Sequence, residues 1–133
     1  MTTETDKLSP LALAYIGDAV YELAVREYLL HTGHIYNKKI HQTAVAYVRA
    51  DRQSELYDSI SDMLNEEEKT VLRKGRNAKS GRQPQNVSVG AYRRATGVES
   101  LIGWLYLRGD EERLIMIFDH LFDNESEEDE NER

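Results

Sequence analysis

Apolar side chains return every three or four residues along most of this chain, the spacing of helices that pack along one face. Leu13, Ile16, Val20, Leu23 with Ala24, and Tyr28 form one such series, opened by Ser9-Pro10 and closed by Gly33. Ser9 supplies a capping hydroxyl, and a proline at the first helical position lacks only an N–H that has no helical partner there. A second helix is predicted from Asn37 through Ile40, Ala44, Tyr47 and Val48. A third carries Leu56, Ile60, Met63 and Leu64, either continuous with the second or broken near Asp51. Asn65 before Glu66, Glu67 and Glu68 reads as a cap with acids at the positive end of a short helix reaching Leu72. Glycine, proline, asparagine and serine without period make Gly75 to about Ser88 the longest loop. Helices follow from about Val89 to Leu107, ended by Gly109, and from Asp110 through Leu114, Ile117, Leu121 and Phe122. No stretch alternates as a strand does. The expected fold is all-α, about six helices in one domain over residues 9–122, between disordered residues 1–8 and a disordered tail, 123–133.

A chain of 133 residues, 40% hydrophobic and 31% charged, can bury one core but not two. The absence of cysteine excludes disulfides, thiolate metal sites and a cysteine nucleophile, and suits a reducing compartment. The N-terminus has no basic segment leading into an apolar one, and Leu101–Leu107 is far too short to span a bilayer. A cytoplasmic protein without membrane association is the expectation.

Charge changes this picture. The formal net charge is −7, yet Asp123 to Arg133 alone contributes −6, leaving −1 for residues 1–122. Within the near-neutral remainder, Lys69 to Val98 holds eight of the 17 basic residues and no acid. Local concentration of charge, rather than whole-chain charge, decides whether a surface binds phosphates. Arg73, Lys74, Arg76, Lys79, Arg82, Arg93 and Arg94 are candidates to neutralise backbone phosphates, and Asn77 and Ser80, with Gln85, to donate to phosphate or ribose. The plain alternative is a solvated basic loop.

Two acids stand in small, apolar helical text. Asp18 lies in ALAYIGDAVYEL and Glu99 in GVESLIGWLYL. A buried carboxylate needs a cation, a metal or donors, or it takes up a proton. Small neighbours, among them Ala14, Gly17, Gly97, Ser100 and Gly103, let two such helices approach and bring their carboxylates together. Two carboxylates beside a phosphate-binding strip suit Mg²⁺, which completes its octahedron with water and substrate oxygens. Spacing leaves a second reading open, in which Asp18 pairs with Arg26 or Lys38 and Glu99 with Arg93 or Arg94.

LAYIGDAVYELAVREYLL resembles the signature helix of the ribonuclease III family, and ATGVESLIGWLYL is similar to that family's second acidic motif. Both stand in the family's order, with KGRNAKSG between them, and the resemblance covers residues 9–122. The combination is most similar to the short Mini-III branch, which lacks the double-stranded-RNA-binding domain that usually follows. The resemblance implies a ribonuclease III-like fold and a Mg²⁺-dependent endoribonuclease, with Asp18 and Glu99 as catalytic metal ligands. It implies a homodimer cutting double-stranded RNA to 5′-phosphate and 3′-hydroxyl ends, with 23S ribosomal RNA precursor as substrate and a large-subunit ribosomal protein as a further partner. Two family acids are absent: Ala14 stands four residues before Asp18, and Thr96 three before Glu99. That reduction supports a competing expectation, a binding module of the same fold that grips RNA without cutting it. His41, the His31/His34 pair, Glu22 and the tyrosines at 15, 21 and 28 read as surface, loop, structural or packing residues.

Overall fold

A computed structural model describes residues 2–33, 36–79 and 87–131, with side chains between residues 4 and 122. Among the described residues there are seven α-helices, a 3-10 turn and no strand. They are α1 (Thr2–Asp6), α2 (Pro10–His31), α3 (Lys38–Val48), α4 (Ala50–Ile60), the 3-10 turn Ser61–Met63, α5 (Glu66–Asn77), α6 (Val89–Leu107) and α7 (Glu111–Asn131).

Helix α6 is the central element, with α2, α4 and α5 packed around it. From Ala95 to Leu105 every residue except Glu99 is buried, as expected of a helix that is small and apolar on all sides. Glycines set how closely its neighbours approach. A Cβ at Gly17 would lie 1.7 Å from the carbonyl oxygen of Glu99, and one at Gly103 would lie 2.0 Å from that of Leu13. Helices α2 and α6 therefore cross backbone to backbone at this pair. Gly75 and Gly97 do the same for α5 and α6, and the Ser100 hydroxyl donates to the Pro10 carbonyl at 2.8 Å.

Most helix ends fall where capping chemistry places them. Ser9 accepts from the Ala12 N–H, Asn37 from those of Lys39 and Ile40, and Asn65 forms a reciprocal capping box with Glu68. Gly33 and Gly109 have φ of +90° and +73° just beyond α2 and α6, a conformation that glycine adopts without strain. The second and third helices are separate, because Arg49 between them is extended at ψ 147°.

Four expectations need correction. Gly75 does not open a loop: α5 continues to Asn77, and the glycine serves close packing rather than a turn. Residues 2–6, expected to be disordered, form α1, with Thr5 buried and Asp6 accepting from Trp104 Nε1 at 3.2 Å. The backbone of α7 stays helical to Asn131, through most of the segment expected to be a disordered tail. That stretch holds no glycine or proline to stop it. Finally, the buried face of α2 is Leu13, Ala14, Gly17, Tyr21, Val25 and Leu29, while Leu23 is exposed. This helix is apolar on several sides, so spacing alone left its inward face ambiguous.

One buried ion pair ties two elements together. Glu68 is 1% exposed and accepts from Arg113 Nε at 2.8 Å and Nη2 at 2.5 Å. Burial alone would raise the pKa of this carboxyl, but the Arg113 guanidinium and the Asn65 N–H outweigh it and hold the group below the usual range.

Candidate active site and nucleic-acid interface

The Gly17–Gly103 crossing decides where the two embedded acids stand. Asp18 follows Gly17 directly, and Glu99 lies one turn before Gly103, so closing the crossing brings residues 81 positions apart to one place. The Asp18 and Glu99 carboxyl groups are in hydrogen-bond contact. Asp18 is exposed on the rim of α2 and Glu99 half-buried beside it. Burial, then the hydrogen bond and the charge of Asp18, push the Glu99 carboxyl up to about 9. The group therefore holds a proton at neutral pH unless a cation takes that proton's place.

The salt-bridge alternatives are not formed. Arg26 pairs with Glu22 at 3.6 Å, and Arg94 donates from Nε to the Ser54 hydroxyl at 2.7 Å. Among the described residues, neither Asp18 nor Glu99 has an ion-pair partner, and no group of three or more His, Cys, Asp or Glu forms a candidate metal site. Two convergent carboxylates, one facing solvent, fit a hard divalent cation that takes its remaining ligands from water and substrate. Ala14 and Thr96 are both buried, and the Thr96 hydroxyl donates to the Tyr92 carbonyl at 3.0 Å. Beneath the pair lies fully buried Tyr21, whose hydroxyl donates to the Tyr47 carbonyl at 2.8 Å. Desolvation holds that phenol well above its ordinary range, with Arg52 opposing the shift and Glu99 adding to it.

The basic candidates divide by setting. Arg73, Lys74 and Asn77 are exposed on α5, Lys79 is exposed just beyond it, and Arg93 is exposed on α6. Arg76 and Arg94 are half-buried, while Ser80 and Arg82, with Gln85, lie outside the described residues. Arg26, Arg49, Lys69, Arg108 and Arg113 each have an acidic partner. Within the strip Lys69 pairs with Glu66, and among the described residues no acid pairs with Arg73, Lys74, Arg76, Lys79, Arg93 or Arg94.

Other candidates keep plain roles. Glu22 is the ion-pair partner of Arg26, and His41 is exposed. The His31 Nδ1 lies 2.7 Å from the Glu27 carbonyl, and His34 is outside the described residues. The sequence reading missed Ser54 and Tyr57 on α4, ordinary residues in an amphipathic helix. Nothing local in the sequence marks them, because the arginines they hold are 40 and 19 positions away.

Comparison with known proteins adds independent findings. The ribonuclease III domain family matches residues 11–110. Mini-ribonuclease 3 of Thermoanaerobacter sp. (strain X514) is 50% identical over 107 residues, covering 80% of this chain and 75% of that protein. Those of Desulfitobacterium hafniense and Brevibacillus brevis are 42% and 40% identical, covering 98% and 92% of this chain and 82% and 91% of their own length. A crystal structure of a Fusobacterium nucleatum protein matches with TM-score 0.81 at 34% identity, covering 90% of this chain and 95% of that one. The family match runs through both acidic helices and the strip between them, and the matches together show that the chain belongs to the ribonuclease III family, in its Mini-ribonuclease 3 branch, and is an endoribonuclease.

Proposed function

We propose that this endoribonuclease is Mg²⁺-dependent and cleaves double-stranded RNA, with the paired ends of 23S ribosomal RNA precursor as its substrate in the cytoplasm. The observation that carries the reading is the meeting of the Asp18 and Glu99 carboxyl groups, in a chain whose Lys69–Val98 strip is basic throughout. When bound, the ion supplies Lewis acidity to the scissile phosphodiester. Asp18 and Glu99 would hold it, and its charge would offset the burial and the Asp18 contact that otherwise keep Glu99 protonated.

Arg73, Lys74, Arg76, Lys79, Arg93 and Arg94, with no acidic partner to give up among the described residues, take the phosphate backbone. Asn77 donates beside them. Ser80 and Arg82 belong to the same contact. An A-form duplex offers a wide, shallow minor groove and two phosphate rows, so recognition is by shape rather than base sequence.

The active form is a homodimer. On α2, Leu11, Tyr15, Leu23 and Leu30 are 37%, 81%, 57% and 55% exposed. They recur along one side of the helix, and exposed apolar surface of this kind marks an interaction face. Asp18 is also exposed on α2, so pairing through this face sets two sites beside the junction, one for each RNA strand.

Incubation with a long RNA duplex tests the proposal. Fragments with 5′-phosphate and 3′-hydroxyl ends are expected in Mg²⁺ and none in EDTA, with single-stranded RNA left intact. No metal-dependent fragments, or equal cutting of single strands, would overturn it.

A further inference from the structure

We infer that Ser54 and Tyr57 are positioning residues, which set Arg94 and Arg76 as a pair of preformed phosphate anchors. The inference deepens the reading of the strip as an RNA interface and rests on it. Residues 54 and 57 lie on one face of α4, one turn apart, about 5–6 Å between Cβ atoms. The face they present meets α5 and α6. Ser54 is 6% exposed and accepts from Arg94 Nε at 2.7 Å. The Tyr57 hydroxyl accepts from Arg76 Nη1 at 3.1 Å, and the guanidinium carbon lies 6.0 Å from the Tyr57 ring centroid. Asn77 Oδ1 accepts from Arg76 Nε at 3.3 Å.

Neither arginine has a carboxylate partner among the described residues, and neither Arg94 Nη atom has a hydrogen-bond partner there. A guanidinium fixed through Nε by a neutral oxygen keeps its full charge and presents its remaining N–H groups as a fork. That geometry suits two oxygens of one phosphate. Arg73, Lys74, Lys79 and Arg93 are exposed and give up rotamer freedom when they bind, whereas Arg76 and Arg94 give up little. The two held arginines therefore contribute more affinity per charge than their exposed neighbours.

The test is binding of a long blunt-ended RNA duplex in EDTA, where no cleavage intervenes, by wild type, Ser54→Ala, Tyr57→Phe, Arg94→Ala, Arg76→Ala and the two matched double variants. Each conservative variant should bind roughly three- to tenfold more weakly. Each should keep the wild-type salt slope, whereas each arginine variant lowers that slope by about one. Tyr57→Phe should have no further effect when Arg76 is already alanine, nor Ser54→Ala when Arg94 is, because each acts through its arginine. Thermal midpoints close to wild type show that the fold is kept. The inference is overturned if Ser54→Ala and Tyr57→Phe bind as wild type while the arginine variants are weakened, or if the paired losses simply add. A wild type with no salt-sensitive affinity for the duplex would remove the RNA reading itself, a different failure.

Discussion

Glu99 is the residue with most at stake. Its carboxyl is half-buried against another carboxyl, so the folded protein holds a proton there that the unfolded chain gives up near the ordinary carboxyl value of 4.5. Between that value and about 9 the native state binds more protons than the unfolded one. Stability therefore falls as pH rises through this window. In EDTA, Glu99→Gln should be as stable as wild type at about pH 5 and several degrees more stable near pH 9, by thermal melts across that range. A wild-type midpoint that does not fall relative to the variant would contradict the described contact. The meeting of Asp18 and Glu99 was legible in the sequence because ionisable groups rarely sit in small, apolar helical text without a partner. Ser54 and Tyr57 were not, since a serine and a tyrosine in an amphipathic helix have many uses and only the fold says which.

At the scale of elements, the α2–α6 crossing brings Asp18 and Glu99 together, and two glycines permit the crossing. Gly17→Ala puts a methyl 1.7 Å from a backbone oxygen, where no side-chain rotation can relieve the clash. A loss of about 3 kcal/mol or more is expected from urea unfolding. Gly75→Ala should cost less, because its close approaches, the Ser100 side chain at 2.5 Å and the Gly97 Cα at 2.8 Å, are longer than that one. The α5–α7 tie gives a prediction of opposite sign to that for Glu99. The carboxyl of Glu68 is held below its ordinary range, so its contribution is present above about pH 4.5 and is lost as pH falls through the folded value. Arg113→Ala strands that buried carboxylate and should cost about 3 kcal/mol at neutral pH, with a smaller deficit in acid. Caps and glycine stops made most of these helices readable. Gly75 misled because a glycine that ends a helix and one that lets two helices touch look alike in sequence, and α1 was hidden because its contacts, through Thr5 and Asp6, are made with distant parts of the chain.

Across the whole molecule, charge is sorted rather than balanced. Most of the net −7 resides beyond Phe122, while the Lys69–Val98 strip is basic throughout. Within it Lys69 pairs with Glu66, and the other six described basic residues have no acidic partner among the described residues. If those six meet phosphates, duplex-RNA affinity should fall steeply with salt, with a log–log slope on the order of −5. A slope near zero in a filter-binding series would rule out the strip as the RNA contact. Fold class and the two acidic helices were readable from periodicity and motif. The exposed apolar side of α2 was not, because spacing that is apolar on several sides does not say which side faces solvent.

The central claim is that Asp18 and Glu99 together hold a divalent ion. Calorimetric titration of Mg²⁺ into wild type, Asp18→Asn and Glu99→Gln addresses it without depending on cleavage. The account predicts one binding event in wild type, accompanied by proton release, and its loss in both variants. Mg²⁺ binding that survives unchanged in both would contradict it.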